Sequence, residues 1–190
     1  WNSFGAEIHL IEMLPHILPK EDEELAKRLE SLFKKEGIQV YTGSKLKEAK
    51  VTRDNIILSV EDNKTTEITV DLVLVCVGMR CNSDCIKEPL RSALKINKKG
   101  GIAVNNKMET GIPGVYAIGD VIDRTWLAHG ASNEGIVAVT NATGGNKRMD
   151  YRVLPACTFT FPELASVGLT EAKAKEQGLS IKVGKFLFSA

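Results

Sequence analysis

The sequence is short of several things that would settle its class at once. Four cysteines in 190 residues, Cys76, Cys81, Cys85 and Cys157, are too few for a disulfide scaffold and suit reduced thiols in a cytosol. Charge of one sign is missing too: 25 basic residues face 24 acidic ones, and no long like-charge block occurs. That excludes the electrostatic footprint of a nucleic-acid or membrane-surface protein. The longest apolar run, Leu72 to Val77, is far too short to span a bilayer, and no cationic start followed by an apolar core marks a secretion signal. A cytoplasmic protein with neither nucleic acid nor membrane as partner is therefore expected. There is no internal repeat and no low-complexity segment.

What is present is an ordinary soluble composition, 43% apolar, enough for one large domain or for pieces of several. The chain opens on Trp1 rather than methionine, with "WNSFG" reading as a last helical turn closed by Gly5, and it stops inside "IKVGKFLFSA", which reads as a running strand. An internal piece of a longer protein is expected. After Gly5, "AEIHLIEM" reads as a short buried strand ending on Glu12. From Asp22 to Glu36 leucines recur at helical spacing, acids crowd the start, Lys34 and Lys35 sit in the last turn and Gly37 closes it. "IQVYTG" is a second strand. The order strand, helix, strand predicts a βαβ unit with parallel strands.

"NIILSVED" and "TTEITVD" predict antiparallel strands joined through the polar turn "EDNK". "LVLVCVG" is apolar on successive residues, as in a strand covered on both faces, which makes Cys76 a small core residue. The run "GGIAVNNKMETGIPGVYAIGD" reads as two short strands around a proline turn. A helix is expected from about Leu127 to Ala142, its small residues allowing close approach to a backbone or a planar ligand, and another from Glu171 to Gln177. From Tyr151 the texture between them is again β.

Two carboxylates stand where α/β proteins meet ligands. Glu12 ends a strand of the βαβ unit, where an acid accepts from the adenosine ribose hydroxyls of a dinucleotide and repels a 2′-phosphate; a solvated loop acid fits the same position. Asp120 ends the apolar run "YAIG" just before a helix whose start offers unpaired amides and a positive dipole end, a combination suited to a polyol joined to an electron-rich ring. Capping of a turn would also account for Asp120. Cys81 and Cys85 form a C-x3-C pair that matches no usual zinc spacing, and both read as plain thiols. His9, from a strand, and His16, from a loop, have no evident acid or nucleophile partner and read as solvated.

"TGIPGVYAIGDV", then "WLAHGASNEG", then "FTFPELASVGLTE" resemble the flavin-dependent pyridine nucleotide–disulfide oxidoreductases, and the "LAH" with "EG" behind it resembles the dihydrolipoamide dehydrogenases among them. The resemblance covers nearly all of the chain in matching order. It implies an α/β fold of partial FAD/NAD(P)-binding Rossmann-like domains followed by the start of an α+β dimerisation domain: residues 1–80 an NAD domain lacking its first strand and glycine motif, 81–146 the C-terminal segment of the FAD domain, and 147–190 the truncated interface domain. It implies FAD and NAD as cofactors, with Asp120 on the ribityl chain, Trp126, Leu127, Ala128 and His129 at the flavin ring, Glu12 on the NAD ribose, and Leu46 and Gly78 on the nicotinamide side. The family commonly carries arginine after that glycine and proline two residues later; here Met79 and Cys81 stand there.

The activity implied is NAD-dependent oxidation of dihydrolipoamide through FAD and a redox disulfide, by a homodimer serving lipoyl domains of 2-oxo acid dehydrogenase complexes or the H protein of glycine cleavage. The resemblance places the family's reactive cysteine pair in an N-terminal region, its His–Glu base near the C-terminus and its glycine motifs outside these 190 residues, so the chain alone is expected to be inactive. His129 is not that base. Another flavin disulfide reductase, a soluble transhydrogenase or a non-catalytic nucleotide-binding chain remain open.

Overall fold

A computed structural model describes residues 1–62 and 64–188, and the chain divides into two compact units, Trp1–Val75 with Cys157–Ala190, and Cys76–Ala156. In the first, a 3-10 turn at Asn2–Phe4 is closed by Gly5 and leads to β1 (His9–Glu12). Helix α1 (Glu23–Lys35) follows, its Asp22 cap accepting from the Glu24 amide, with Glu23 and Glu24 in the first turn and Lys34 and Lys35 in the last, each charge complementing the helix dipole. β2 (Gln39–Thr42) returns parallel to β1, pairing Leu10 with Val40 and Glu12 with Thr42. The βαβ unit is thus formed. Its core joins Ile17, Leu29 and Leu164 with Leu10, Phe33 and Val40, while Leu25 on the same helix is 44% exposed and Ala26 takes the inner position.

Next comes an antiparallel three-stranded sheet in the order β3 (Lys45–Val51), β4 (Ile56–Glu61), β5 (Thr65–Val70). Leu58, Val60 and Ile68 fill its covered face. The expected β4–β5 hairpin is present; Asn63 of its turn lies outside the described residues. β3 was not expected. The pairing shifts between Leu46 and Glu48, so Lys47 is the extra residue of a bulge.

The stretch after β5 and the second unit depart furthest from expectation. Leu72 to Val77 form no strand: Leu72 is 65% exposed, Leu74 68%, Val75 71% and Val77 94%, and Cys76 is exposed rather than a core residue. A strand covered on both faces needs a neighbouring ladder and two apolar layers, and the described residues supply neither to this run. The two strands expected around the proline turn are single bridges, Ile96 with Ile102 and Glu109 with Tyr116, flanked by one helical turn, α2 (Leu90–Ala93). Helix α3 (Ala128–Ala142) buries Gly130, Glu134, Val137, Ala138 and Asn141 along one stripe. Met108, Ile122, Val137, Ala138 and Met149 make the core beneath it.

β6 (Pro155–Thr158) pairs with β7 (Leu164–Val167), and α4 (Glu171–Glu176) is capped by the Thr170 hydroxyl, which accepts from the Lys173 amide. The strand expected in "IKVGKFLFSA" is absent over residues 181–188, which carry no strand pairing; Ser189 and Ala190 lie outside the described residues.

Candidate functional site

The second unit gathers most of the expected site residues around the start of α3. Gly119, at φ 71°, turns the chain out of its extended run into a 3-10 turn, Gly119–Ile122, a left-handed conformation that glycine adopts without the Cβ penalty. The turn presents Asp120 with its side chain exposed, and among the described residues its carboxylate accepts no hydrogen bond. Its carbonyl is occupied, accepting from the Asp123 amide at 3.1 Å and from the Cys81 thiol at 3.2 Å. Asp120 does not cap the turn with its side chain.

Two residues between this turn and α3 hold left-handed backbone without being glycine, Asp123 at φ 54° and Trp126 at φ 57°. Asp123 fastens both, its carboxylate accepting from the Trp126 indole at 3.3 Å and from the Asn97 amide at 3.1 Å. Leu127 then begins α3 with no side-chain cap, so the first-turn amides of Ala128, His129 and Gly130 stay available at the positive end of the helix dipole. A Cβ at Gly130 would stand 2.7 Å from Thr125 Oγ1 and 3.2 Å from Leu154 Cδ2, which shows how tightly the helix start is seated. His129 Nε2 donates to the Pro155 carbonyl at 2.7 Å and fixes its ring there.

Beneath the turn lies a carboxylate that sequence reasoning left without a role. Glu134 is fully buried; its Oε2 accepts from the Gly119 amide at 2.7 Å and its Oε1 from the Tyr151 hydroxyl at 2.9 Å. Burial first, and the Glu134 carboxylate second, push the Tyr151 hydroxyl up to about 12. The Arg124 guanidinium lies 5.0 Å from the Tyr151 ring centre, within cation–π range, and donates to the Val104 carbonyl at 2.8 Å.

In the first unit, Glu12 ends β1 half-buried, its Oε1 accepting from the Leu14 amide at 2.8 Å. The Ser44 amide donates to the Glu12 carbonyl at 3.0 Å, which brings the start of β3, and Leu46 on it, to the carboxyl end of the parallel pair. Leu46 is 41% exposed there. Gly78 belongs to the other unit; its φ is 131° and a Cβ would meet nothing within 4 Å. Cys81 is buried, with its thiol pushed up by burial, whereas Cys85 is exposed. His9 is not solvated: its ring stacks on Tyr41, Nδ1 lies 3.3 Å from the tyrosine hydroxyl and Nε2 3.3 Å from Glu7. His16 is half-buried, donating from Nδ1 to the Ile17 carbonyl at 2.8 Å.

Residues 1–135 match the pyridine nucleotide-disulphide oxidoreductase family, and residues 154–190 match the family's dimerisation domain. The chain belongs to this family. All of it aligns with dihydrolipoyl dehydrogenases: 42% identity with that of Thermus scotoductus, 41% with that of Bacillus subtilis and 36% with the mitochondrial protein of Homo sapiens. It spans 41%, 40% and 38% of those relatives, about two fifths of their length. Among solved structures, LpdA of Mycobacterium tuberculosis superposes on 93% of the chain with a TM-score of 0.80 at 24% identity, the chain covering 38% of LpdA. The HOCl-induced flavoprotein disulfide reductase RclA of Escherichia coli covers 93% with a TM-score of 0.79 at 20% identity, the chain covering 40% of RclA. At those identities the two structures support the fold. No helix among the described residues is long and apolar enough to cross a membrane, and no cluster of His, Cys, Asp or Glu among them could hold a metal ion.

Proposed function

We propose that the chain is the cofactor-binding middle of an NAD-dependent dihydrolipoyl dehydrogenase, with residues 1–80 serving NAD, 81–146 closing the FAD domain and 147–190 opening the dimerisation domain. The observation that carries this is the Gly119–Asp120 turn, which sets a carboxylate that accepts no hydrogen bond among the described residues just ahead of the uncapped start of α3. Those groups fit FAD. Asp120 accepts from ribityl hydroxyls, while the amides of Ala128, His129 and Gly130 and the backbone of Trp126 and Leu127 donate to or border the polar edge of the ring. When bound, FAD would supply the two-electron relay between a dithiol and NAD.

Glu12 accepts from the NAD ribose hydroxyls and its charge opposes a 2′-phosphate; Leu46 and Gly78 line the nicotinamide side. The redox cysteines and the catalytic base belong to parts of the complete protein outside this sequence. The complete protein is a cytoplasmic homodimer whose substrate is dihydrolipoamide on the lipoyl domains of 2-oxo acid dehydrogenase complexes or on the H protein of glycine cleavage. Supporting this, the identity with dihydrolipoyl dehydrogenases runs the whole length of the chain.

The test is catalytic. The complete protein should form NADH from dihydrolipoamide and NAD⁺, one hydride going to each NAD⁺ and one proton to solvent, and D120A should purify with less flavin. Reduction of another disulfide, or transfer between pyridine nucleotides, with no dihydrolipoamide-dependent NADH would overturn the assignment.

A further inference from the structure

We infer that Glu134 is the positioning residue of the flavin-binding carboxylate: through Gly119 it fixes where Asp120 stands. The inference rests on the flavin reading of Asp120. A carboxylate wholly removed from water is costly unless both oxygens are satisfied, and here each has one donor, the Gly119 amide and the Tyr151 hydroxyl. No cation pairs with it among the described residues. A buried carboxyl group with two hydrogen-bond donors and, among the described residues, no counter-ion costs stability while fixing the geometry of the glycine turn above it. The core stripe of α3 could take an apolar side chain at this position, since Val137 and Ala138 occupy the same face.

The choice of Gly119 as the partner gives the arrangement its meaning. Gly119 sits at φ 71°, a conformation that orients the next peptide and with it the Asp120 side chain. Its amide points inward to Oε2 at 2.7 Å, and the Asp120 carbonyl is tied by Asp123 and by the buried Cys81 thiol. The Ile118–Gly119 peptide and the Asp120–Val121 peptide are therefore both anchored, one on each side of the Gly119–Asp120 link. Tyr151 holds the second oxygen, so rotation of the Glu134 side chain away from Gly119 would break a second hydrogen bond.

The experiment uses the complete protein and the variants E134A, E134Q, Y151F, D120A and E134A/D120A, each measured for FAD dissociation by flavin fluorescence and for thermal unfolding of the apoprotein. E134A and D120A should each weaken FAD on the order of tenfold, the size of one lost charge-assisted hydrogen bond. The double variant should bind no more weakly than the worse single one, because both act through one contact. E134Q should restore binding, since its amide oxygen still accepts from Gly119 and its amide NH₂ can donate to the Tyr151 oxygen. A purely structural Glu134 would lower the unfolding temperature and leave FAD affinity unmoved, or give additive losses in the double variant; either result overturns the inference. Should E134A fail to fold, Y151F decides alone, expected to weaken FAD a few-fold and overturning the inference if affinity is unchanged. Loss of affinity in D120A with none in E134A would sink the positioning role only, whereas unchanged affinity in D120A would remove the flavin reading of Asp120 itself.

Discussion

Glu12 holds the Leu14 amide with one oxygen, while among the described residues the other accepts no hydrogen bond at the end of the parallel pair. In the complete protein E12A should therefore weaken NADH by roughly tenfold, as loss of a charged acceptor does, and narrow the preference for NADH over NADPH, measured by titration with each nucleotide. A variant that lost neither affinity nor preference would place the ribose elsewhere. Tyr151 yields a second prediction at this scale. Its hydroxyl loses its proton at about 12 in the folded protein against an ordinary 10, so the folded state keeps a proton that the unfolded chain gives up. That contribution is complete below pH 10 and disappears as pH rises from 10 towards 12. Unfolding free energy followed by denaturant across that window should fall more steeply in the wild type than in Y151F. The positions of Glu12 at the end of β1 and of Asp120 in the turn after an extended run were legible because each ends an apolar run. Glu134 was not: its partners lie 15 and 17 residues away, and a lone acid among small helical residues has no local sign of burial.

Helix α1 was legible almost to the residue because cap, acidic first turn, basic last turn and closing glycine all agree. Replacing Asp22 by Ala should cost about 1 kcal/mol, read from denaturant unfolding, with D22N retaining most of it. β3 was invisible for the opposite reason. "KLKEAKV" has no apolar alternation; it is exposed along its length, and its charges suit an edge strand that must discourage further pairing. Leu72 to Val77 misled in the other direction: continuous apolarity reports that a segment is meant to be covered, but the partner that covers it need not lie in the same stretch of chain. The short bridges at Ile96–Ile102 and Glu109–Tyr116 show a related limit, since proline and glycine mark the turns but not whether the flanks extend into strands.

For the whole molecule, the family match and the small-residue start of α3 support the proposed reading of the chain as a cofactor-binding part of a flavin-dependent oxidoreductase. Cys76 and Cys81 stand at C-x4-C spacing and Cys81 and Cys85 at C-x3-C, and in each pair the buried Cys81 is set against an exposed thiol. The fold class was readable from motif order along the sequence, whereas the joining of residues 157 onward to the first unit is a long-range fact that no local pattern encodes. The most direct test of the central claim is an anaerobic titration of the complete protein, following the absorbance of its bound flavin. Dihydrolipoamide should bleach the oxidised-flavin band and NAD⁺ should restore it with formation of NADH; a protein that carries no flavin, or whose flavin dihydrolipoamide leaves oxidised, would contradict the account.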